Sequence, residues 1–183
     1  MSALNPSGFV SPENIVSQVS VAEGMKIADF GSGTGHLVVF LAKAVGESGT
    51  VTAIDVLDAA LESVASRAKA EGLKNVKTHR GNLEVKGGSG ATDNSQDMVT
   101  IVNTLFMTPN KEDMLKEAYR ILKPGGSLVI VDWRKGTAGP GSSSELYAED
   151  EETIKNIAEG ISFMFDRAFD TGSHHFGLIF KKP

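Results

Sequence analysis

Apolar and polar positions divide the chain into short apolar runs that alternate with longer amphipathic segments. Met25–Phe30, Val51–Ile54 (ending on Asp55), Val76–His79, Met98–Val102 and Ser127–Val131 are apolar runs of strand length. Between them lie helical patterns. Leu37–Val45 is strongly apolar and predicts a buried helix stopped at Gly46. Asp58–Ala70 places Leu61, Val64, Ala65 and Ala68 at helical spacing, with Gly72 as its stop. Lys111–Leu122 is amphipathic and closes at Lys123-Pro124-Gly125-Gly126. Upstream, Ser11-Pro12-Glu13 offers a cap, a proline at the first helical position and an acid in the first turn. That helix carries Ile15, Val16 and Val19 and ends by Gly24, and Met1–Val10 reads as a lead-in arm.

Two stretches break the pattern. Gly81–Asp97 is polar and Gly-rich, which predicts mostly loop with freedom to move, and Gly136–Ser144 is a second Gly/Pro/Ser loop. After it, Leu146–Glu159 reads as an acidic surface helix, and Ile161–Phe169 and His175–Lys181 as two more strands. About five residues join that pair, where a parallel crossover needs roughly a dozen, so the pair is antiparallel. Strands alternating with helices, then a hairpin, predict a doubly wound α/β sheet of seven strands, mostly parallel with the last antiparallel. No internal repeat is present. Residues 1–183 read as one domain, with 1–24 as an arm and helix.

Composition narrows the chemistry more than the fold. A hydrophobic share of 40% and a charged share of 22% are those of an ordinary globular chain. There is no cysteine, so disulfides, thiolate metal sites and thiol nucleophiles are all excluded. The same absence suits a reducing cytoplasm. A net charge of −5 disfavours nucleic acid as a partner. The N-terminus lacks a signal-like core, and no apolar run approaches the roughly 18 residues of a membrane span.

The chemistry concentrates at Asp29-Phe30-Gly31-Ser32-Gly33-Thr34-Gly35-His36, which reads as strand, tight turn and helix start. Glycines there let a ligand approach the backbone, and the helix N-terminus offers unpaired N–H groups. A dinucleotide site wants Gly-x-Gly-x-x-Gly, whereas here the spacing is Gly31-x-Gly33-x-Gly35 with His36 next. Asp29 separates the options further. Facing the pocket, its carboxylate repels a pyrophosphate, by roughly 4 kcal/mol for like charges ~4 Å apart at a dielectric of 20. It attracts an ammonium or sulfonium instead, which points to S-adenosylmethionine and away from NAD. Asp55 follows Gly35 by 20 residues, the place of a ribose-binding acid with either cofactor. Its structural alternative is to cap the helix that follows.

Together Asp29-Phe30-Gly31-Ser32-Gly33-Thr34-Gly35, Asp55 and Leu122-Lys123-Pro124-Gly125-Gly126 resemble the class I S-adenosylmethionine-dependent methyltransferases, as a small single-domain member with a Rossmann-like fold. The resemblance runs from about Ser11 to the terminal hairpin. It implies S-adenosylmethionine as cofactor and S-adenosylhomocysteine as product. It implies a cofactor site of Asp29, Gly31, Ser32, Gly33, Gly35, His36, Asp55, Val56, Asn82, Leu83, Asn103 and Leu105. Within that set Asp29 orients the methionine amino group, Gly31 and Gly33 pass beneath the methionine, and Asp55 holds the ribose hydroxyls. Asn82 stands where relatives often carry an acid for the adenine amino group, although an Asn there also suits a turn.

The receiving side is less marked. Phe106 and Met107 are read as acceptor-pocket lining or core, Trp133 as pocket wall or core, and Arg134 and Lys135 as an anion lure or solvated charge. Methyl transfer works largely by positioning, so a general base is optional. Asp132 and His175 are the candidates, with His174 and His36 behind them, and no metal-ligand cluster is seen. The reading that results is a cytoplasmic methyltransferase acting on a small molecule. Its alternatives are an RNA or protein methyltransferase with the same cofactor, and a non-catalytic cofactor-binding partner subunit.

Overall fold

The computed structural model describes residues 10–136 and 149–183. Thirteen elements follow in order: α1 (Pro12–Gln18), β1 (Lys26–Phe30), α2 (His36–Val45), β2 (Thr50–Asp55), α3 (Asp58–Ala70), β3 (Val76–Arg80), β4 (Gln96–Val102), a 3-10 turn (Leu105–Met107), α4 (Lys111–Ile121), β5 (Leu122–Trp133), α5 (Glu151–Gly160), β6 (Met164–Phe169) and β7 (His175–Lys181). The strands form one sheet in the order β3-β2-β1-β4-β5-β7-β6, and β7 runs antiparallel to both β5 and β6. This is the doubly wound, mostly parallel sheet that the hydrophobic pattern predicts.

Alternation along the strands sorts the core onto two faces. Ile27, Val51, Met98 and Val131 pack with Ile15, Leu41 and Val64 of α1, α2 and α3. Their strand neighbours Ala28, Ile54, Val99 and Ile130 pack with Leu115, Ala118 and Ile154 of α4 and α5. Both faces of the central strands are therefore dry, which is why those strands read as unbroken apolar runs.

Several boundaries differ from expectation. α1 stops at Gln18 rather than by Gly24, because Val19 turns extended and buries its side chain. β5 begins at Leu122 and absorbs Lys123–Gly126 as an irregularity between the Gln96–Leu122 and Met98–Ser127 pairs. Lys182 holds that bend through two backbone bonds, Gly125 N–H to its carbonyl at 2.7 Å and its own N–H to Gly126 at 3.0 Å. α5 starts at Glu151 because the Asp150 carboxylate accepts the Thr153 N–H at 2.8 Å. β6 starts at Met164 rather than Ile161. Ala65 faces solvent. The expected arm over residues 1–9, most of the 136–144 loop and the 146–148 start of the acidic helix lie outside the described residues.

The 81–95 connection is anchored, not loose. Buried Glu117 of α4 accepts the N–H groups of Gly87 at 2.9 Å and Ser89 at 3.0 Å, and the Ser89 hydroxyl at 2.5 Å. Arg120 closes the cluster, bonding Glu117 Oε1 at 2.7 Å, the Ala91 carbonyl at 2.8 Å and Asp93 at 2.5 Å.

Candidate functional site

Because β1 has β2 on one side and β4 on the other, successive crossovers leave in opposite directions and open a crevice at the strands' C-terminal ends. A cavity of about 940 Å³ fills it. The glycine turn from Gly31 to Thr34 forms its floor, with Asp29 below and Asp55 beside it. The loops after β3 and β4 bring Asn82, Leu83, Asn103 and Met107, and α1 adds Pro12 and Ile15 as a wall. The α1 wall was not legible in the sequence as part of the site.

Asp55 is set by two backbone donors. Its Oδ2 accepts the Gly33 N–H at 2.9 Å and its Oδ1 the Leu57 N–H at 3.0 Å. It is not the N-cap of α3, which is Leu57, and its bond to the Leu57 N–H braces the residue ahead of the helix. Each carboxylate oxygen keeps a further lone pair for a ligand. Val56 follows, half exposed on the cavity rim. Asn82 lines the cavity while its Oδ1 accepts the Glu84 N–H at 3.0 Å, so it does serve the turn. Asn103 has a left-handed backbone, φ +53°, and spends its N–H on the Val131 carbonyl at 2.8 Å. Its Oδ1 and the Ser32 Oγ are both buried with no hydrogen-bond partner among the described residues. Orphaned buried polar atoms in a cavity wall are costly unless a ligand or solvent group meets them.

Asp29 is 3% exposed, yet it borders the cavity. Thr100, its cross-strand neighbour on β4, donates a hydroxyl hydrogen bond to Oδ1 at 2.6 Å. Burial pushes the Asp29 carboxyl up to about 7, the Thr100 bond works against that shift, and the Asp55 charge adds to it. A cation placed against Asp29 would restore its ionised form. Thr100 was missed in the sequence; its signal is a lone hydroxyl inside the otherwise apolar run Met98–Val102.

The turn itself is sterically committed. Gly31 has φ +69°, and a Cβ there would overlap the Thr104 side chain, which bonds the Phe30 and Val102 carbonyls at 3.3 and 3.1 Å. Gly31→Ala is expected to lower stability by about 2 kcal/mol, from left-handed strain plus displacement of Thr104. Urea unfolding checks this, and a loss under 0.5 kcal/mol would show that the turn adapts.

Other expected residues sit elsewhere. Gly35 packs against Val64 of α3 beneath the turn, while His36 borders the cavity. Leu105 and Phe106 lie in a separate, closely packed cluster with Asp132, Trp133 and Lys111. Asp132 is buried, and burial pushes it up to about 6 against the backbone N–H groups of Trp133, Phe106, Leu105 and Thr104. His175 is fully buried and stacks on Trp133, ring centroids 3.9 Å apart. Burial lowers it to about 4, helped by His174 and Arg134, and neither ring nitrogen has a partner among the described residues. Neither base candidate borders the large cavity. Among the described residues no cluster of His, Cys, Asp or Glu stands ready for a metal, and no helix is long and apolar enough to cross a membrane.

Comparison with known proteins places this geometry. A methyltransferase-domain family model matches residues 22–179. An arsenite methyltransferase of Aquipseudomonas alcaligenes is 33% identical over 129 residues, covering 68% of this chain and 35% of that protein. The ubiquinone/menaquinone biosynthesis C-methyltransferase UbiE of Klebsiella pneumoniae is 28% identical over 179 residues, covering 85% and 70%. This chain thus spans from about a third to about seven tenths of those curated relatives. The crystal structure of a SAM-dependent methyltransferase from Aquifex aeolicus superposes with a TM-score of 0.84 at 28% identity, over 96% of this chain and 93% of that one.

Proposed function

The chain belongs to the class I S-adenosylmethionine-dependent methyltransferase family, and from that premise we propose that it transfers a methyl group to a small organic acceptor. One observation carries the reading. Asp29, the Asn103 Oδ1 and the Ser32 Oγ, two of them orphaned, stand as acceptors on one cavity wall. An ammonium group satisfies such a set.

In this reading Asp29 and Asn103 hold the methionine ammonium, the turn at Gly31 and Gly33 admits the chain of the ligand, and Asp55 takes the ribose diol. Val56, Asn82 and Leu83 enclose the base, with Ser32 and His36 bordering the same space. Gly35 and Leu105 act from behind, as packing. The cofactor, when bound, supplies a methyl group already activated on a sulfonium. The protein's part is then orientation and exclusion of water.

The acceptor side is walled by Pro12, Ile15, Leu37 and Met107, which favours an uncharged organic molecule. The two curated relatives are named for arsenite and for quinone biosynthesis, both small acceptors. This chain has no cysteine to offer arsenic a thiolate, which favours the organic class. We read residues 1–183 as one methyltransferase unit acting in the cytoplasm, which the cysteine-free composition suits.

Titration calorimetry with S-adenosylmethionine, S-adenosylhomocysteine and NAD tests the cofactor. Micromolar binding of the first two and none of NAD is expected; saturable NAD binding without S-adenosylhomocysteine binding overturns the reading. The same instrument tests Asp29. At pH 6 a carboxyl near 7 is mostly protonated, while the ligand's aliphatic amino group stays charged. Binding should release most of a proton, seen by comparing buffers of different ionisation enthalpy, and affinity should rise with pH up to about 7. Asp29→Asn should release none. Because the folded carboxyl lies above its unfolded value, Asp29 costs stability increasingly as pH climbs from about 4 to 7. The same variant should therefore gain roughly 1–3 kcal/mol at pH 8. Equal proton release from both proteins removes Asp29 from the site.

A further inference from the structure

Behind the cavity wall, at the C-terminal end of β5, the buried carboxylate of Asp132 spends itself on backbone. Oδ2 accepts the Phe106 N–H at 3.1 Å and Oδ1 the Trp133 N–H at 2.7 Å. The N–H groups of Thr104 and Leu105 also favour its charge. Thr104, Leu105 and Phe106 open the 3-10 turn, where N–H groups lack partners within the turn and together form an anion-binding concavity. An acid from the neighbouring strand fills it from inside the protein.

That turn is not incidental to the site. Asn103, Thr104, Met107 and Thr108 all border the large cavity. Asn103 holds a left-handed backbone, φ +53°, a conformation that Asn tolerates better than most non-glycine residues. Further tethers hold the far end: Thr108 Oγ1 donates to the Thr104 carbonyl at 2.8 Å, and Lys111 Nζ to the Thr108 carbonyl at 2.9 Å. The charge-assisted tether at the turn's start comes from Asp132.

We infer that Asp132 is a positioning residue: as a carboxylate it holds residues 103–107 in the shape that presents Asn103 and Thr104 to the cofactor cavity, and a neutral side chain in its place lets that wall loosen. This rests on reading the cavity as the S-adenosylmethionine site. Among the described residues the charged groups around Asp132 are few. Lys111 of α4 and Glu149 ahead of α5 belong to the same packed cluster, and β7 sets apolar Phe176 opposite it. His174 and His175 lie further along β7's start, and Arg134 pairs with Glu151 at 3.4 Å. With burial holding the carboxyl up near 6, the tether should slacken as pH falls through that value.

The test combines binding with an internal probe, since Trp133 is the chain's single tryptophan and follows Asp132 directly. S-adenosylhomocysteine is titrated into wild type and Asp132→Asn at pH 8, and Trp133 emission is followed from pH 8 to 4.5. About tenfold weaker, still saturable binding is expected in the variant. The wild-type emission should titrate with a midpoint near 6 that Asp132→Asn lacks; His175, stacked on Trp133, titrates lower. Binding within twofold of wild type, or identical emission profiles, overturns the inference. If the variant does not fold, the Phe106 amide proton resonance decides, measured in Asp29→Asn so that Asp29 cannot be its source. A titration near pH 6 supports the tether and a flat profile removes it. A wild type that binds no S-adenosylhomocysteine defeats the site reading instead, and leaves the emission and amide profiles to judge Asp132 as the turn's anchor.

Discussion

The Asp55→Ala variant is expected to bind S-adenosylhomocysteine about a hundredfold more weakly than wild type, with its helix content unchanged. Asp55 is held before any ligand arrives, by the Gly33 and Leu57 N–H groups at 2.9 and 3.0 Å. A fixed carboxylate loses little entropy when it accepts a ribose diol. Each such charge-assisted bond is worth about 1.5–3 kcal/mol. Two of them, less the cost of ordering the sugar, leave about 3 kcal/mol, or roughly a hundredfold in Kd. The fold should survive because the two Asp55 bonds reach Gly33 and Leu57, the residue ahead of α3, and no N–H group inside the helix. Asp55→Asn keeps one acceptor oxygen and should lose about tenfold. Calorimetry at pH 7 with far-UV circular dichroism reads both quantities. Unchanged affinity in the alanine variant would show that Asp55 merely braces the turn.

Removing Glu117 should produce the largest loss of stability. Its carboxylate satisfies Gly87, Ser89 and Arg120 at once, from a fully buried side chain. Burial alone would push its carboxyl up. Arg120, the Ser89 hydroxyl and the backbone N–H groups of Gly87 and Ser89 outweigh that and bring it down to about 2. Glu117→Ala leaves Arg120 without its buried partner and two loop N–H groups unpaired, which costs roughly 3–5 kcal/mol and lowers Tm by on the order of 10 °C. Since the folded value lies below the unfolded one near 4.5, the stabilisation is complete above about pH 4.5 and fades as pH falls toward 2. Urea unfolding at pH 7 and pH 3 should therefore show a wide gap between wild type and variant that narrows in acid. A gap under 1 kcal/mol at pH 7, or one that does not narrow, would mean the 81–95 connection is held by something else.

Glu117 also marks why part of the molecule was illegible in sequence. On a helical wheel it is one more charged position of an amphipathic helix, and its partners lie about thirty residues upstream in a stretch that reads as slack. Local pattern carries no information about such a pairing. The α1 wall is similar: Ile15 reads correctly as apolar, but its facing the cavity follows from where α1 crosses the sheet.

The site divides along the same line. Glycine spacing, the acid ahead of it and the acid after the second strand point to the cofactor class, because turn geometry and charge are local properties. The strand runs and the hairpin length likewise dictate the sheet and its one reversed strand, since period and loop length are written in adjacent residues. The rest depended on tertiary contacts. Only packing decided that Asp29 is dry enough to hover between charged and neutral, and that Asp55 is clamped by the turn it faces. Only packing set Asp132 behind the wall instead of within the site, and left His175 against Trp133 away from the cavity. Burial and the approach of residues distant in sequence set the charge of a carboxylate, and no local pattern encodes either.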